Sequence, residues 1–251
     1  MIIGLTLVRN EQDIIKDTLD HMAGFCDKIY VYDDCSDDQT VEICKSHPEV
    51  NVVIQGTQWS LDRTTAETHN RNTLLDYARV YAGSGDWFVY MDADERIDYD
   101  FSRLSRLPRS VAGVRMKLFD YYITTEDVDL PYTQRRYIGP EYRTILMAYR
   151  NSPNIAYRGI IAREPSLKGI GQAITEGYVK HYGKAISVKQ WEHTCDFYST
   201  YFPPEYSVKW TSRKGKAVHT MSSFGNKLIT WEDKHLGFPL TREIEIKNIY
   251  S

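Results

Sequence analysis

The chain has 251 residues, 42% hydrophobic and 26% charged, with a formal net charge of -3. That suits one full-sized globular domain with a tail or subdomain, and offers no global electrostatic case for nucleic-acid binding. No run of about 18 apolar residues is present, so no membrane span is expected, and Met1-Ile2-Ile3-Gly4 lacks the basic segment of a secretory signal.

In chain order, residues Ile2 to Val8 are apolar and rich in β-branched side chains, which predicts a buried strand. Asn10 offers an N-cap to a helix whose stripe is Ile14, Ile15, Thr18, Leu19 and Met22, ended by Gly24. Lys28 to Tyr32 predicts a second strand, and Asp33 to Asp38 a polar turn. A short helix with Val41, Ile43 and Cys44 is closed by Pro48. Val50 to Ile54 predicts a third strand and Ala66 to Tyr81 a longer helix striped by Leu74, Leu75 and Ala78. Asp86 to Met91 is the fourth strand. Strand and helix alternate, so the expectation is a parallel sheet with helices on both faces and ligands beyond the carboxyl ends of its strands. Three polar clusters fall there: Arg9-Asn10-Glu11, Asp33-Asp34 and Asp92-Ala93-Asp94.

The second half reads differently. Val111 to Phe119 and Arg143 to Tyr149 predict strands, and the long polar and aromatic stretch Asp120 to Glu141 between them predicts a functional loop or lid. Ser187 to Tyr201 predicts a helix stopped by Pro203-Pro204, and the basic, aromatic residues 201–251 a helical extension. The four cysteines, Cys26, Cys35, Cys44 and Cys195, have no metal-type spacing; free thiols in a reducing, cytoplasmic compartment are expected.

The segment Tyr90-Met91-Asp92-Ala93-Asp94-Glu95-Arg96 carries the sharpest chemical signal. Alternate residues of a strand point the same way, so a strand here puts both carboxylates on one side of its tip. A hard cation such as Mg²⁺ or Mn²⁺ can sit there and hold a departing diphosphate. Asp-X-Asp also occurs as a plain cap or turn.

The sequence resembles the family-two glycosyltransferases of the GT-A fold. The resemblance rests on Thr6-Leu7-Val8-Arg9-Asn10-Glu11, Ile29 to Thr40 with Asp33-Asp34-Cys35-Ser36-Asp37-Asp38, Arg71-Asn72, Met91-Asp92-Ala93-Asp94-Glu95 and His181-Tyr182-Gly183. It covers about the first two hundred residues and is strongest over the first hundred. It implies an α/β, Rossmann-like, mostly parallel sheet flanked by helices. The GT-A domain would span 1–200 (1–98 nucleotide side, 99–200 acceptor side), with a C-terminal appendage over 201–251. It also implies a sugar transfer from a nucleoside diphosphate donor, most often UDP-linked, to a glycan or other hydroxyl acceptor.

Roles carried over by the resemblance are as follows. Val8, Asn10, Asp33, Asp34, Arg71 and Asp92 would seat the nucleotide. Asp94, with Asp92 and His181, would hold Mn²⁺ or Mg²⁺. Each has a plainer reading: Asn10 as a helix cap, Asp33 and Asp34 as turn formers, Arg71 as an outward salt bridge, His181 as a structural histidine. Asp37 and Asp38 are read as turn formers. An inverting transfer needs a carboxylate to deprotonate the acceptor. In Arg158-Gly159-Ile160-Ile161-Ala162-Arg163-Glu164-Pro165, Glu164 takes that place, or a salt bridge; Arg163 stands where histidine is commoner and can instead face phosphate. Glu176 and Glu95 are reserves. Two other classes remain open at this point. A sugar-phosphate nucleotidyltransferase would want a glycine-rich loop after the first strand, where Arg9 to Asp13 has no glycine. A non-catalytic carbohydrate-binding protein of the same fold would respond to neither nucleotide nor metal.

Overall fold

The computed structural model describes residues 1–159, 162–202 and 204–241. β1 (Ile2–Val8), α1 (Ile15–Ala23), β2 (Lys28–Asp33), α2 (Thr40–Ser46), β3 (Val50–Gln55), α3 (Arg63–Arg79) and β4 (Trp87–Tyr90) follow in the expected alternation. Then come β5 (Glu95–Asp98), β6 (Val111–Tyr122), β7 (Tyr137–Arg150), β8 (Gln172–His181), α4 (Val188–Tyr201), α5 (Pro204–Arg213), β9 (Ile229–Thr230) and β10 (Phe238–Pro239).

The strand order is β3-β2-β1-β4-β7-β6-β8-β5. β3, β2, β1 and β4 are mutually parallel, as expected, and β7 joins β4 antiparallel, which makes the whole sheet mixed. Ile3 and Leu5 of β1 pack with Leu74, Leu75 and Ala78 of α3. Gly4, between them, faces the other way; a Cβ there would lie 2.6 Å from Met22 Cε and 2.8 Å from Cys26 Sγ. Helices therefore cover both faces of the parallel block, and the bare glycine lets the end of α1 lie close.

The residues form two compact units, Met1–Met116 with Ile145–Gly177, and Lys117–Thr144 with Tyr178 onward. β6, β7 and β8 each contribute residues to both. In the first unit, order β2-β1-β4 makes β1 the switch point: α1 and α2 lead the chain outward to β2 and β3, and α3 brings it back to β4. Crevices form at such points, because the loops on either side run in opposite directions.

Several expectations are corrected. Asn10 does not cap α1: it has φ +54, the cap position is Ile14 with no side-chain bond, and the turn starts where the Glu11 carbonyl accepts from Ile14 and Ile15. β4 ends at Tyr90, and Asp92 to Glu95 is a turn closed by Glu95 N to Asp92 O at 3.1 Å, so Asp92 and Asp94 are not alternate residues of a strand. The expected long loop is shorter at both ends, since β6 runs to Tyr122 and β7 starts at Tyr137. The remaining link is pinned rather than lid-like. Buried Asp127 accepts from the Thr124 and Arg136 amides at 2.8 and 3.1 Å, and buried Arg135 donates to the Ala185 carbonyl at 2.8 Å. Beyond α5 the described tail is not a continuous helix: β9 and β10 both pair with β7, with one 3-10 helix, Glu232–Leu236, between them. The end of the tail (242–251), Ile160-Ile161 of the Glu164 segment and Pro203 lie outside the described residues.

Candidate active site at the strand tips

The tips of β1 and β2 are stitched together. Val8 lies opposite Asp33, and its carbonyl accepts from the Asp34 amide at 2.8 Å. The Asn10 amide donates to Ser36 Oγ at 2.9 Å, and Asn10 Oδ1 accepts from the Asp37 amide at 3.0 Å. The Glu11 amide donates to Thr40 Oγ1 at 2.7 Å. Arg9 donates to the Asp34 and Cys35 carbonyls and lies 4.6 Å over the Trp59 ring. Asn10 and Cys35 are the only described non-glycine residues with positive φ, a conformation that costs energy and concentrates at functional turns.

The two aspartates of β2's tip are less available than the sequence implies. Both oxygens of buried Asp33 accept from the Ser36 amide, at 3.3 and 3.1 Å, the turn-forming reading. Burial pushes its carboxyl up, and the Ser36 bonds pull it back only in part. Buried Asp34 takes Arg63 on one oxygen and Asn70 Nδ2 at 3.1 Å on the other. Arg63 and Asn70 are seven apart on α3, hence on one face, and were not singled out from the sequence. Asp38 is a turn former as expected, accepting from the Thr40 amide at 2.9 Å.

Around β4's tip a tighter network forms. Buried Arg71 donates from Nε to Tyr90 OH at 3.0 Å, and Tyr90 OH lies 3.0 Å from Asp92 Oδ1. Arg71 Nη2 is 3.9 Å from the same Asp92 oxygen, and Arg71 also meets Glu67 one turn earlier at 3.2 Å. Arg71 thus points inward, toward the acidic motif. Arg163 Nε lies 3.1 Å from Asp92 Oδ2, and its Nη2 donates to both Glu95 oxygens at 2.8 and 2.6 Å. Arg71 and Arg163 lie 5.4 and 5.0 Å from the Tyr90 ring. Burial alone would lower both guanidinium pKa values; Tyr90 and Asp92, with Glu67 beside Arg71 and Glu95 beside Arg163, more than reverse this and hold both cations charged. Arg163's departure from histidine was the one sequence signal for it.

Glu11 stands beside this network. It is half-buried, and crowding of its carboxyl together with the charges of Asp94 and Asp92 pushes it well above the usual carboxylate range. Glu164 does not face the cleft with open oxygens: Arg115 donates to both, at 2.8 and 2.9 Å, and the Leu146 amide adds a third bond at 2.7 Å. Reserve Glu176 meets Arg103 at 3.1 Å. His181 belongs to the second unit, its Nδ1 2.6 Å from Asp120 Oδ1.

Whether these groups suit a divalent cation is a question of donor chemistry. Asp92 and Asp94, both half-exposed, are hard oxygen donors beside a third carboxyl. Among the described residues no three Asp, Glu, His or Cys side chains converge as a ready cage. That fits an ion taken through one or two carboxylates and completed by substrate phosphates, the usual way Mg²⁺ is bound.

The sequence model of glycosyl transferase family 2 matches residues 5–171, about two thirds of the chain, and spans every group just described in the first unit except Glu176. The chain belongs to glycosyl transferase family 2. Its mixed sheet with helices on both faces is the GT-A arrangement expected of that family. Among curated proteins, an uncharacterised Mycobacterium tuberculosis protein is 29% identical over 138 residues, 51% of this family-2 chain and 32% of the relative. A Mycobacterium bovis protein matches equally. The chain thus spans about a third of the length of these relatives. Solved structures with a looser likeness include Staphylococcus aureus TarS (residues 1–349; TM-score 0.42, 13% identity, 83% of this chain and 68% of that one). Mannosyl-3-phosphoglycerate synthase from Rubrobacter xylanophilus gives a TM-score of 0.33 at 18% identity, over 47% of this chain and 40% of that one. Among the described residues no helix is long and apolar enough to cross a membrane.

Proposed function

We propose that this chain transfers a sugar from a nucleoside diphosphate donor, UDP-linked by family resemblance, to a hydroxyl acceptor, with inversion at the anomeric carbon. The observation that carries the reading is the switch point. Adjacent parallel strands β1 and β4 bring Glu11 close enough to Asp94 and Asp92 that their charges add to burial in raising its proton affinity. Evolution has little structural reason to crowd carboxyls there, since like charges destabilise the fold.

In this reading Asp94 and Asp92 hold a divalent cation, which when bound neutralises the charge building on the leaving diphosphate. Arg71 and Arg163 hold Asp92 from opposite oxygens and fix its orientation. Asp33 and Asp34 act by shape: they freeze the β2 tip and, through Arg63 and Asn70, lock it to α3 where the nucleotide would rest. Val8 and Asn10 hold the β1 tip in register with it. We assign Glu164 the role of anchor, because its oxygens are held by Arg115 and the Leu146 amide and the residue before it is Arg163.

The test is a screen of nucleotide sugars for slow donor hydrolysis with and without Mn²⁺, alongside thermal unfolding. UDP at a hundred times its dissociation constant, with Mn²⁺, is expected to add about 2.7 kcal/mol, or roughly 5–11 °C. Asp94→Ala should fold normally and lose that shift. No shift and no hydrolysis with any common sugar nucleotide would leave the non-catalytic reading standing instead.

A further inference from the structure

The second unit holds a cluster of opposite character to the strand-tip site. Asp120 on β6 is buried, yet its Oδ1 meets Arg143 Nη2 on β7 at 2.6 Å and His181 Nδ1 at 2.6 Å, and its Oδ2 meets Lys184 Nζ at 2.6 Å. Lys184 also lies 3.3 Å from Tyr122 OH and 5.1 Å over that ring. Lys209 and Arg213, four apart and therefore on one face of α5, stand close enough to Asp120 to interact with it. Four basic side chains, Arg143, Lys184, Lys209 and Arg213, thus gather around Asp120, and His181 is a further proton carrier. Among the described residues neither Lys209 nor Arg213 is in an ion pair with an aspartate or glutamate.

Such crowding is unfavourable without a counter-charge. Burial and then the like charges of Arg213 and Lys184 lower Lys209 to about 8. Burial, with Lys184 and Arg213 beyond it, lowers His219 to about 4. The chain as a whole is acidic, so this is not a generally basic protein showing its surface. The Arg143 side chain is 40% exposed, so the cluster is open to solvent on at least that side, while the buried Asp120 holds Arg143, Lys184 and His181 in fixed places.

We infer that β6, β7, the end of β8 and α5 build a binding site for a phosphomonoester group, carried by the acceptor of the proposed transfer. A dianion matches the excess of cations better than a carboxylate, and two guanidinium forks with two ammonium groups are the donors that phosphate oxygens take. Only the word acceptor rests on the glycosyl-transfer reading; the binding of phosphate does not. The phosphate could be borne by a soluble metabolite or by a lipid headgroup, and the two are separable by experiment.

The test uses the full chain. Calorimetric titration with glycerol 3-phosphate, inorganic phosphate, glycerol and acetate is run beside co-sedimentation with phosphatidylcholine vesicles containing or lacking phosphatidic acid. Binding of either phosphomonoester probe, weakened about tenfold or more in the double variant K209Q/R213Q and in R143Q alone, is expected; glycerol, acetate and plain phosphatidylcholine should not bind. Glycerol 3-phosphate binding names a soluble source, and binding confined to phosphatidic acid vesicles a lipid one. Equal binding by folded variants, equal binding of acetate, or no binding of any phosphate probe would overturn the site. So would complete competition by UDP with Mn²⁺, which would make the cluster the donor's seat. The UDP–Mn²⁺ thermal shift in the same samples reports separately on the transfer reading: its loss in the parent chain sinks that reading and leaves the phosphate measurement intact.

Discussion

Arg163→Met is the sharpest perturbation of the strand-tip network. The side chain of Glu95 is 2% exposed and its carboxylate takes two bonds from Arg163, whose own side chain is 23% exposed. Removing one partner of a buried pair costs about 3–5 kcal/mol, chiefly because the other charge is left without compensation. The partial exposure of Arg163 puts the expected loss at the lower end, about 3 kcal/mol, or roughly 6–12 °C for a chain of this size. Glu95→Gln alone leaves Arg163 its contact with Asp92 and should cost about 1–2 kcal/mol. In the double variant no buried charge is orphaned, so the total should fall to about 1–2 kcal/mol, well short of the sum of the singles. Urea unfolding supplies the free energies, and hydrogen exchange at the β4 amides locates the loss in the first unit. Additive single costs, or an Arg163→Met variant within about 0.5 kcal/mol of the parent, would refute the argument that this arginine neutralises a buried carboxylate.

Three further outcomes follow from other parts of the molecule. Glu164→Gln should lower stability by about 1 kcal/mol, since both partners are about one-third exposed, and leave turnover within a few-fold; a loss of about 10²–10⁴ in kcat at unchanged Tm would restore it as the base. His219 has an ordinary value of 6.5 that the fold lowers to about 4, so the unfolded chain takes up its proton first as pH falls. Its contribution is therefore present above pH 6.5 and is lost between about 6.5 and 4, by roughly 2–3 kcal/mol; His219→Gln should flatten the stability-against-pH curve in that window, and an unchanged curve would contradict the assignment. At Gly237 a Cβ would lie 2.5 Å from the Phe119 ring and 2.9 Å from the Pro140 carbonyl, both held by packing, so Gly237→Ala should cost about 1–3 kcal/mol in chemical denaturation. A neutral result there would mean that β10's approach to β7 is looser than drawn.

The first four strands and three helices were legible because each carries its own local signal: β-branched or aromatic runs in β1 to β4, and Leu74, Leu75 and Ala78 at helical spacing in α3. The grouping of polar clusters at three neighbouring strand ends followed from that order alone. What was not legible is which of those polar groups is already spent. Asp34 looks like a ligand because nothing near it in sequence satisfies it; Arg63 and Asn70, which do, stand 29 and 36 residues away. Arg163 lies 68 residues from Glu95, and Asp120 lies 61 and 64 residues from His181 and Lys184. Buried charge has no periodicity, so its partners appear only when the sheet is assembled. The missed end of β6 has the same cause: Asp120 interrupts an aromatic run and reads as loop, whereas Arg143, Lys184 and His181 satisfy it and let it remain in a strand whose last residues are buried on both faces. The sequence therefore marks where charge gathers, and the structure shows which carboxylates there are already held: Asp33 by the Ser36 amide, Asp34 by Asn70, Glu95 by Arg163 and Glu164 by Arg115, while Glu11 has its proton affinity raised by burial and by the charges of Asp94 and Asp92.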